Sequence, residues 1–276
     1  MSDQPAPATY VHGHHESVLR SHSWRTAANS AAYLLPHLHD GMRILDVGCG
    51  PGTITIDLAK RFAFDLAVGV DVSETVLEGA RKDAEAQGAD VRFGFADVSR
   101  LPFPAASFDV VHAHQLLQHL ADPVAALREM GRVCTPGGIV AARDSDYAAM
   151  TWYPAEPDLD DWLDLYHRIA IAGGGQPNAG RHLLAWAHGA GFADVTSSAS
   201  AWCFATPADR AWWGETWAER VTHSEFAKQA LDGGHADREE LVRLANAWRR
   251  WADQDDAWFA VLHGEILCRT AEAAAG

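Results

Sequence analysis

The sequence predicts an α/β protein built on an open, doubly wound, mostly parallel sheet. Two observations carry this. Between Met42 and Asp144, short continuous apolar runs alternate with segments of helical periodicity, the pattern of parallel strands covered by helices on both faces. The first run, Ile44-Leu45-Asp46-Val47, enters the turn Gly48-Cys49-Gly50-Pro51-Gly52 and leaves it as a helix start, Thr53-Ile54-Thr55-Ile56-Asp57-Leu58-Ala59. In such sheets ligands bind beyond the carboxyl ends of the strands, where the strand order reverses.

The elements follow in order. Residues 1–40 are expected to form an N-terminal cap segment, with a helix or helix pair over 16–37. His12, His14 and His15 lie close together but lack a helical ligand pair with a carboxylate, and read as solvent-facing imidazoles rather than a metal site. From residue 41 the chain reads as one domain to its end. Arg43–Val47 is the first strand and Thr53–Arg61 a helix. Leu66–Val70 is the second strand. A helix capped by Ser73 runs to Gln87 and is stopped by Gly88. Val91–Phe95 and Phe108–Ala113 are strands three and four. Asp122-Pro123 opens a helix through Arg132, Thr135-Pro136-Gly137-Gly138 is a turn, and Ile139–Arg143 is strand five. After Asp144 the rhythm breaks, and ten of the eleven tryptophans lie beyond position 150. Helices are expected over Asp158–Ala172 and Arg181–Gly189, and strands over Val195–Phe204 and Trp258–Cys268. Between those strands lies a helical insertion over 207–251.

Composition narrows the function classes. The chain has 276 residues, enough for a full core, and a formal charge of −15. That charge opposes a phosphate-tracking nucleic-acid binder and docking on an anionic membrane. No stretch has the length of a transmembrane helix and no signal peptide is evident, so a cytoplasmic location is expected. A homodimer stays open. Cys49, Cys134, Cys203 and Cys268 are far apart and read as reduced thiols, mostly buried.

The glycine turn points to a nucleoside cofactor. Glycines let a ligand approach the backbone closely. Asp71, about twenty residues on, ends the second apolar run, where an acid accepts from both ribose hydroxyls. A dinucleotide fingerprint needs a third glycine three positions after Gly50, but Thr53 stands there, and no Gly-Lys-Ser/Thr follows for a P-loop. Asp46 would oppose a pyrophosphate and suits an ammonium group. S-adenosylmethionine (SAM), a ribose with a cationic amino-acid end, fits this combination.

The chain resembles class I SAM-dependent methyltransferases, in particular the small-molecule branch of ubiquinone/menaquinone-biosynthesis C-methyltransferases. Ile44–Gly52, Val70-Asp71, Ala96-Asp97-Val98 with Leu101-Pro102-Phe103, Ser107–Val111 and Arg132–Gly138 carry the resemblance over residues 41–143. It implies a seven-stranded sheet whose last strand is antiparallel. It also implies that Gly48 and Gly50 meet the methionine part, Asp46 the ammonium, and Asp71 the ribose. Asp97 would accept from the adenine amino group and the Val98 N–H would meet a ring nitrogen. Val72 and Leu101 would pack the purine faces, and His114 would line the methyl end. Asp109 reads as structural. Arg25 would pair with the cofactor carboxylate, the alternative being a surface salt bridge.

Methyl transfer needs alignment and water exclusion more than acid–base chemistry. If the acceptor must lose a proton, His114, His119, Asp144 and Asp146 are the candidate bases, His119 and Asp144 foremost, with Tyr147 or Tyr153 as orienters. A tryptophan-rich lid over the site suits a small apolar or aromatic acceptor, and two or three of Trp152, Trp202, Trp213 and Trp217 are expected to touch it. The competing classes are a non-catalytic SAM-binding protein, a nicotinamide oxidoreductase, and an arsenite methyltransferase. The last needs clustered thiols that this chain lacks.

Overall fold

The computed structural model of the chain describes residues 24–272. The histidine group at 12–15 and most of the cap segment lie outside the described residues. Within them, the expected N-terminal helix is only a short turn of helix, α1 (Ala27–Ser30), followed by one 3-10 turn at Leu35–His37. Thr26 caps α1 with its hydroxyl, and Pro36 sits in the 3-10 turn.

The described residues form an eight-stranded sheet. Its strands are β1 (Arg43–Val47), β2 (Leu66–Asp71), β3 (Arg92–Phe95), β4 (Phe108–His114), β5 (Cys134–Ser145), β6 (Thr151–Tyr153), β7 (Asp194–Phe204) and β8 (Trp258–Arg269). The order β3-β2-β1-β4-β5-β8 places β1 and β4 on either side of the reversal, and β7 flanks β8 on its other edge. Strands β1 to β5 pair in parallel. β8 runs antiparallel to β5, β6 and β7. The strand beyond the expected seven is β6. It continues the line of β5 after the turn at Tyr147–Ala149 and pairs with the first residues of β8.

Helices α2 (Thr53–Arg61), α3 (Glu74–Gln87), α4 (Pro123–Val133), α5 (Pro157–Ala172) and α6 (Ala179–Ala190) fall close to expectation. The insertion is three helices: α7 (Pro207–His223), α8 (Glu225–Asp232) and α9 (Arg238–Ala252). Ser73 occupies the cap position of α3 without a side-chain capping bond, and Gly88 ends that helix in the left-handed conformation.

Alternation along the strands divides the core. Leu45, Val47, Val111 and Ala113 face α4 and α6 through Leu127, Met130 and Leu183. Ile44, Val110 and Ala141 face the other way, onto Ile54, Leu58 and Leu34. A third core joins α5, α7, α8 and α9 to β7 and β8 through Trp162, Trp213, Trp217, Trp248, Trp251, Phe204 and Phe259. Asp109 is structural, as expected: its carboxylate takes the Arg43 backbone N–H at 2.8 Å and the Arg43 Nη2 at 2.9 Å.

Candidate active site

β1 delivers Asp46 to the turn as a buried carboxylate, 2% exposed. The parallel register sets Asp46 opposite His112 on β4. His112 Nδ1 lies 2.8 Å from Oδ1, and Thr55 Oγ1 from the first turn of α2 donates to Oδ2 at 2.5 Å. The three turn glycines, Gly48, Gly50 and Gly52, have φ of 68°, 54° and 73°, a region that disfavours any residue with a Cβ. A Cβ on Gly52 would sit 2.5 Å from the Phe93 ring, so this glycine serves the packing of β3 on the turn. Asp71 closes the turn from β2. Its oxygens accept one backbone N–H each, from Gly50 at 3.0 Å and Ser73 at 2.9 Å. A carboxylate offers about four lone-pair sites, so both oxygens keep capacity for a ligand.

Asp46, Gly48, Gly50 and Asp71 line a cavity of about 270 Å³ at the carboxyl ends of β1, β2 and β4. Asp46, Gly48, Gly50, Asp71 and Val72 contribute from the first half of the sheet. Trp24, Trp202, Trp212 and Trp213 contribute from the N-terminal segment, β7 and α7, and His114 and Gln115 from the end of β4. Val72 is 62% exposed, an apolar side chain left for a ligand to cover. Trp202 is fixed by its indole N–H, which donates to the Asn29 carbonyl at 2.7 Å, and by Trp24 edge-on at 5.2 Å. The Arg143 guanidinium lies 5.0 Å from the Trp202 ring centre, and that of Arg25 5.7 Å. Arg143 is itself buried and paired to Glu265 at 3.2 Å. Burial lowers its pKa to about 10.

A hydrogen-bonded chain crosses the cavity wall. Arg25 Nη2 donates to Gln115 Oε1 at 2.5 Å, and Gln115 Nε2 donates to His263 Nε2 at 2.9 Å. His263 Nδ1 then donates to the Val261 carbonyl at 3.0 Å, which assigns its proton to Nδ1. Gln115 adopts a left-handed φ of 51°, a strained backbone of the kind held in place at functional sites. Its own N–H donates to the Arg143 carbonyl at 2.7 Å. His114, expected just past the strand, is the last residue of β4. Burial holds its imidazole well below the usual histidine range, and neither ring nitrogen has a hydrogen-bond partner among the described residues.

The structure does not gather every expected residue. Asp144 lies within β5 because its pairing with Gly264 prolongs that strand. It is buried away from the cavity lining, with its oxygens accepting from the Leu117 and Gln118 N–H groups at 3.3 and 3.1 Å. Burial pushes its pKa up to about 7. A side chain so bonded braces the turn after β4. Asp146 is likewise committed, to Arg181 at 2.5 and 2.7 Å. His119 does line the cavity, and burial pushes its pKa down to about 3. Asp97 is exposed, caps the one-turn helix Val98–Arg100 through the Ser99 N–H at 2.8 Å, and with Val98 stands outside the cavity lining. Of the four tryptophans among which two or three were expected at the acceptor, Trp202 and Trp213 line the cavity. Trp217 is in the helical core, and Trp152 stacks on Phe259 at 5.5 Å. Cys203 is exposed, unlike the buried Cys134 and Cys268.

A family model described as a methyltransferase domain matches residues 38–214. An uncharacterized methyltransferase of Schizosaccharomyces pombe is 37% identical over 273 residues, covering 95% of this chain and 97% of its own. The chain belongs to the methyltransferase domain family. The "27-O-demethylrifamycin SV methyltransferase" of Amycolatopsis mediterranei is 42% identical over 116 residues, covering 41% of this chain and 42% of its own. Among solved structures, the (4+2)-cyclase SpnF has a TM-score of 0.53 at 23% identity, covering 97% of this chain and 90% of its own. Phosphoethanolamine N-methyltransferase 2 of Haemonchus contortus, solved with S-adenosylhomocysteine, has a TM-score of 0.54 at 18% identity, covering 88% of this chain and 52% of its own. These two likenesses show the fold.

This methyltransferase uses SAM, and its own residues fit that cofactor. The turn presents glycine backbone to the cavity beside a buried acid and a second acid with spare acceptor sites. That donor set suits a cationic amino acid joined to a ribose. Gln115, His263 and Trp212 were missed at the level of sequence. The first two carry no local motif, since their partners are 90 and 148 residues away.

Proposed function

We propose that the chain transfers the methyl group of SAM to a small, apolar or aromatic acceptor held against Trp24, Trp202, Trp212 and Trp213. The observation that carries this reading is the make-up of the cavity: acids and glycine backbone on one side, indoles on the other, and a second set of buried groups behind the indoles. SAM supplies a methyl already activated by its sulfonium. What the chain must add is alignment and exclusion of water.

In this reading Asp71 accepts from the ribose hydroxyls, and the backbone at Gly48 and Gly50 meets the methionine part. Asp46, held rigid by Thr55 and His112, faces the ammonium group. Arg25 lies on the same cavity and is oriented by Gln115, within reach of a carboxylate. Val72 covers one purine face. Asp97 and the Val98 N–H, outside the cavity lining, bind the adenine edge. α7, which carries Trp212 and Trp213, closes the acceptor side together with the N-terminal segment. The acceptor is a small molecule rather than a nucleic acid, consistent with the formal charge of −15.

The experiment is calorimetric binding of SAM, followed by a panel of apolar and aromatic acceptors with released S-adenosylhomocysteine as the readout. Micromolar SAM binding and turnover confined to apolar or aromatic acceptors are expected. Turnover confined to strongly polar, charged acceptors would overturn the acceptor class. Binding of SAM without turnover on any member would favour a SAM-binding protein.

A further inference from the structure

His114 is a buried polar group at the methyl end of the cavity that makes no hydrogen bond among the described residues. It lines the cavity from the end of β4, is 5% exposed, and both ring nitrogens are sealed from water with no partner among the described residues. An unpaired buried polar group is destabilising, and each one in a folded protein calls for an explanation. Its ring is held only by its faces, with Trp202 at 5.7 Å and His263 stacked at 6.2 Å. Turning the imidazole toward the cavity therefore breaks no hydrogen bond. His263, the neighbouring imidazole, is fully engaged by Gln115 and the Val261 carbonyl, and His112 is anchored to Asp46. His114 alone among these three has no bond to lose.

We propose that His114 is the residue that recognises the acceptor's nucleophile, and that this nucleophile is a hydroxyl on a flat aromatic ring. The proposal rests on the SAM-dependent reading above and deepens it. A neutral imidazole has one lone pair and one N–H. A hydroxyl donates to the lone pair and so satisfies a nitrogen that water does not reach. The indoles of Trp202, Trp212 and Trp213 supply apolar walls for the ring that bears the hydroxyl.

The step balances as follows. The hydroxyl oxygen forms a bond to the methyl carbon, and the carbon–sulfur bond breaks with its electron pair left on sulfur. The hydroxyl proton passes to His114, which becomes an imidazolium and later releases the proton to solvent. The groups facing His114 are Arg25, Arg143 from β5, His263 from β8 and His112 on its own strand, and all of them oppose a positive ring. Burial first, and this opposition after it, keep the imidazole neutral before reaction. During transfer the sulfonium charge disappears as the imidazolium forms, so the cavity gains no net charge.

The test uses the full chain, labelled with ¹⁵N-histidine and saturated with S-adenosylhomocysteine. The probes are 2-naphthol and its methyl ether, 2-methoxynaphthalene. We expect naphthol to bind about tenfold tighter or more than the ether and to move the His114 ¹⁵N resonances. His114→Phe should abolish the preference and leave S-adenosylhomocysteine affinity unchanged. Three results would overturn the proposal: no binding of naphthol, a preference retained in His114→Phe, or His114 resonances unmoved at saturating naphthol. If His114→Phe does not fold, His114→Gln supplies the resonance assignment and the wild-type shifts decide. Failure of S-adenosylhomocysteine to bind is a separate outcome, which removes the cofactor reading and this proposal with it.

Discussion

Asp71 does two things with one carboxylate. It ties Gly50 to the end of β2 and, in the proposed function, accepts from the ribose. Asp71→Ala should therefore weaken SAM by about 1–3 kcal/mol, and Asp71→Asn by less, since its amide oxygen still accepts from Gly50. Wild-type affinity in a folded Asp71→Ala protein, read by calorimetry, would remove Asp71 from the cofactor. Gly52 offers a stability test in the same turn. Gly41 and Gly52 both have positive φ, of 82° and 73°, but a Cβ meets nothing within 4 Å at Gly41 and the Phe93 ring at Gly52. Gly41→Ala should cost roughly 1–2 kcal/mol of backbone strain, and Gly52→Ala distinctly more in urea unfolding. Equal losses would show that Phe93 gives way. The turn and Asp71 were legible in the sequence because strand, glycines and acid lie within thirty residues of one another. The Arg25–Gln115–His263 chain was not, because three distant segments meet only once the sheet has formed.

Among the elements, β1 to β4 were read to within a residue or two because continuous apolar runs need burial on both faces, whereas β5 begins at Cys134 and takes in the expected turn Thr135–Gly138, because Cys134 pairs with Phe108 on β4. Three departures have a common cause. His114, Asp144 and Ser145 are strand residues because partners on neighbouring strands extend the ladder past the apolar run, and β6 exists because β8 is long enough to pair with both β5 and a short continuation of it. The insertion was read correctly as helical, but its tryptophans have two fates. Trp248 is fully buried against Trp162, Trp217 and Phe259, whereas Trp212 is half-buried at the cavity. Trp248→Ala should destabilise by about 3–5 kcal/mol. Trp212→Ala should leave stability nearly unchanged and weaken the acceptor. A core this extensive makes an insertion that opens as one body costly. Amide exchange in α9 should be slow with or without ligand, and ligand-dependent slowing should be confined to the Trp212–Trp213 end of α7 and the segment around Trp24. Exchange in α9 as fast as in the cavity wall would show that the whole insertion moves.

At the scale of the whole molecule, the buried titratable groups set opposing pH dependences. His114, His119 and His263 all have folded pKa values below the ordinary 6.5, His119 at about 3. Below 6.5 the unfolded chain binds protons that the folded chain leaves off its buried rings, in the case of His119 down to about 3, so acidification favours unfolding. Asp144 acts in the other direction. Its folded pKa is raised from 3.8 to about 7, so from pH 3.8 to 7 the folded chain holds a proton that the unfolded chain has lost. Its contribution is present below pH 3.8 and is lost as the pH rises through 7. Asp144→Asn removes this term and keeps an oxygen for the Leu117 or Gln118 N–H. Relative to wild type, the variant should therefore gain stability steadily from pH 4 to pH 8, while the histidine-driven loss on acidification persists in both proteins. Urea midpoints measured in parallel at pH 5 and pH 8 check this. Two curves that run parallel across that range would mean that Asp144 is ionised in the folded protein at pH 5, and that the two backbone N–H groups, rather than burial, dominate its environment.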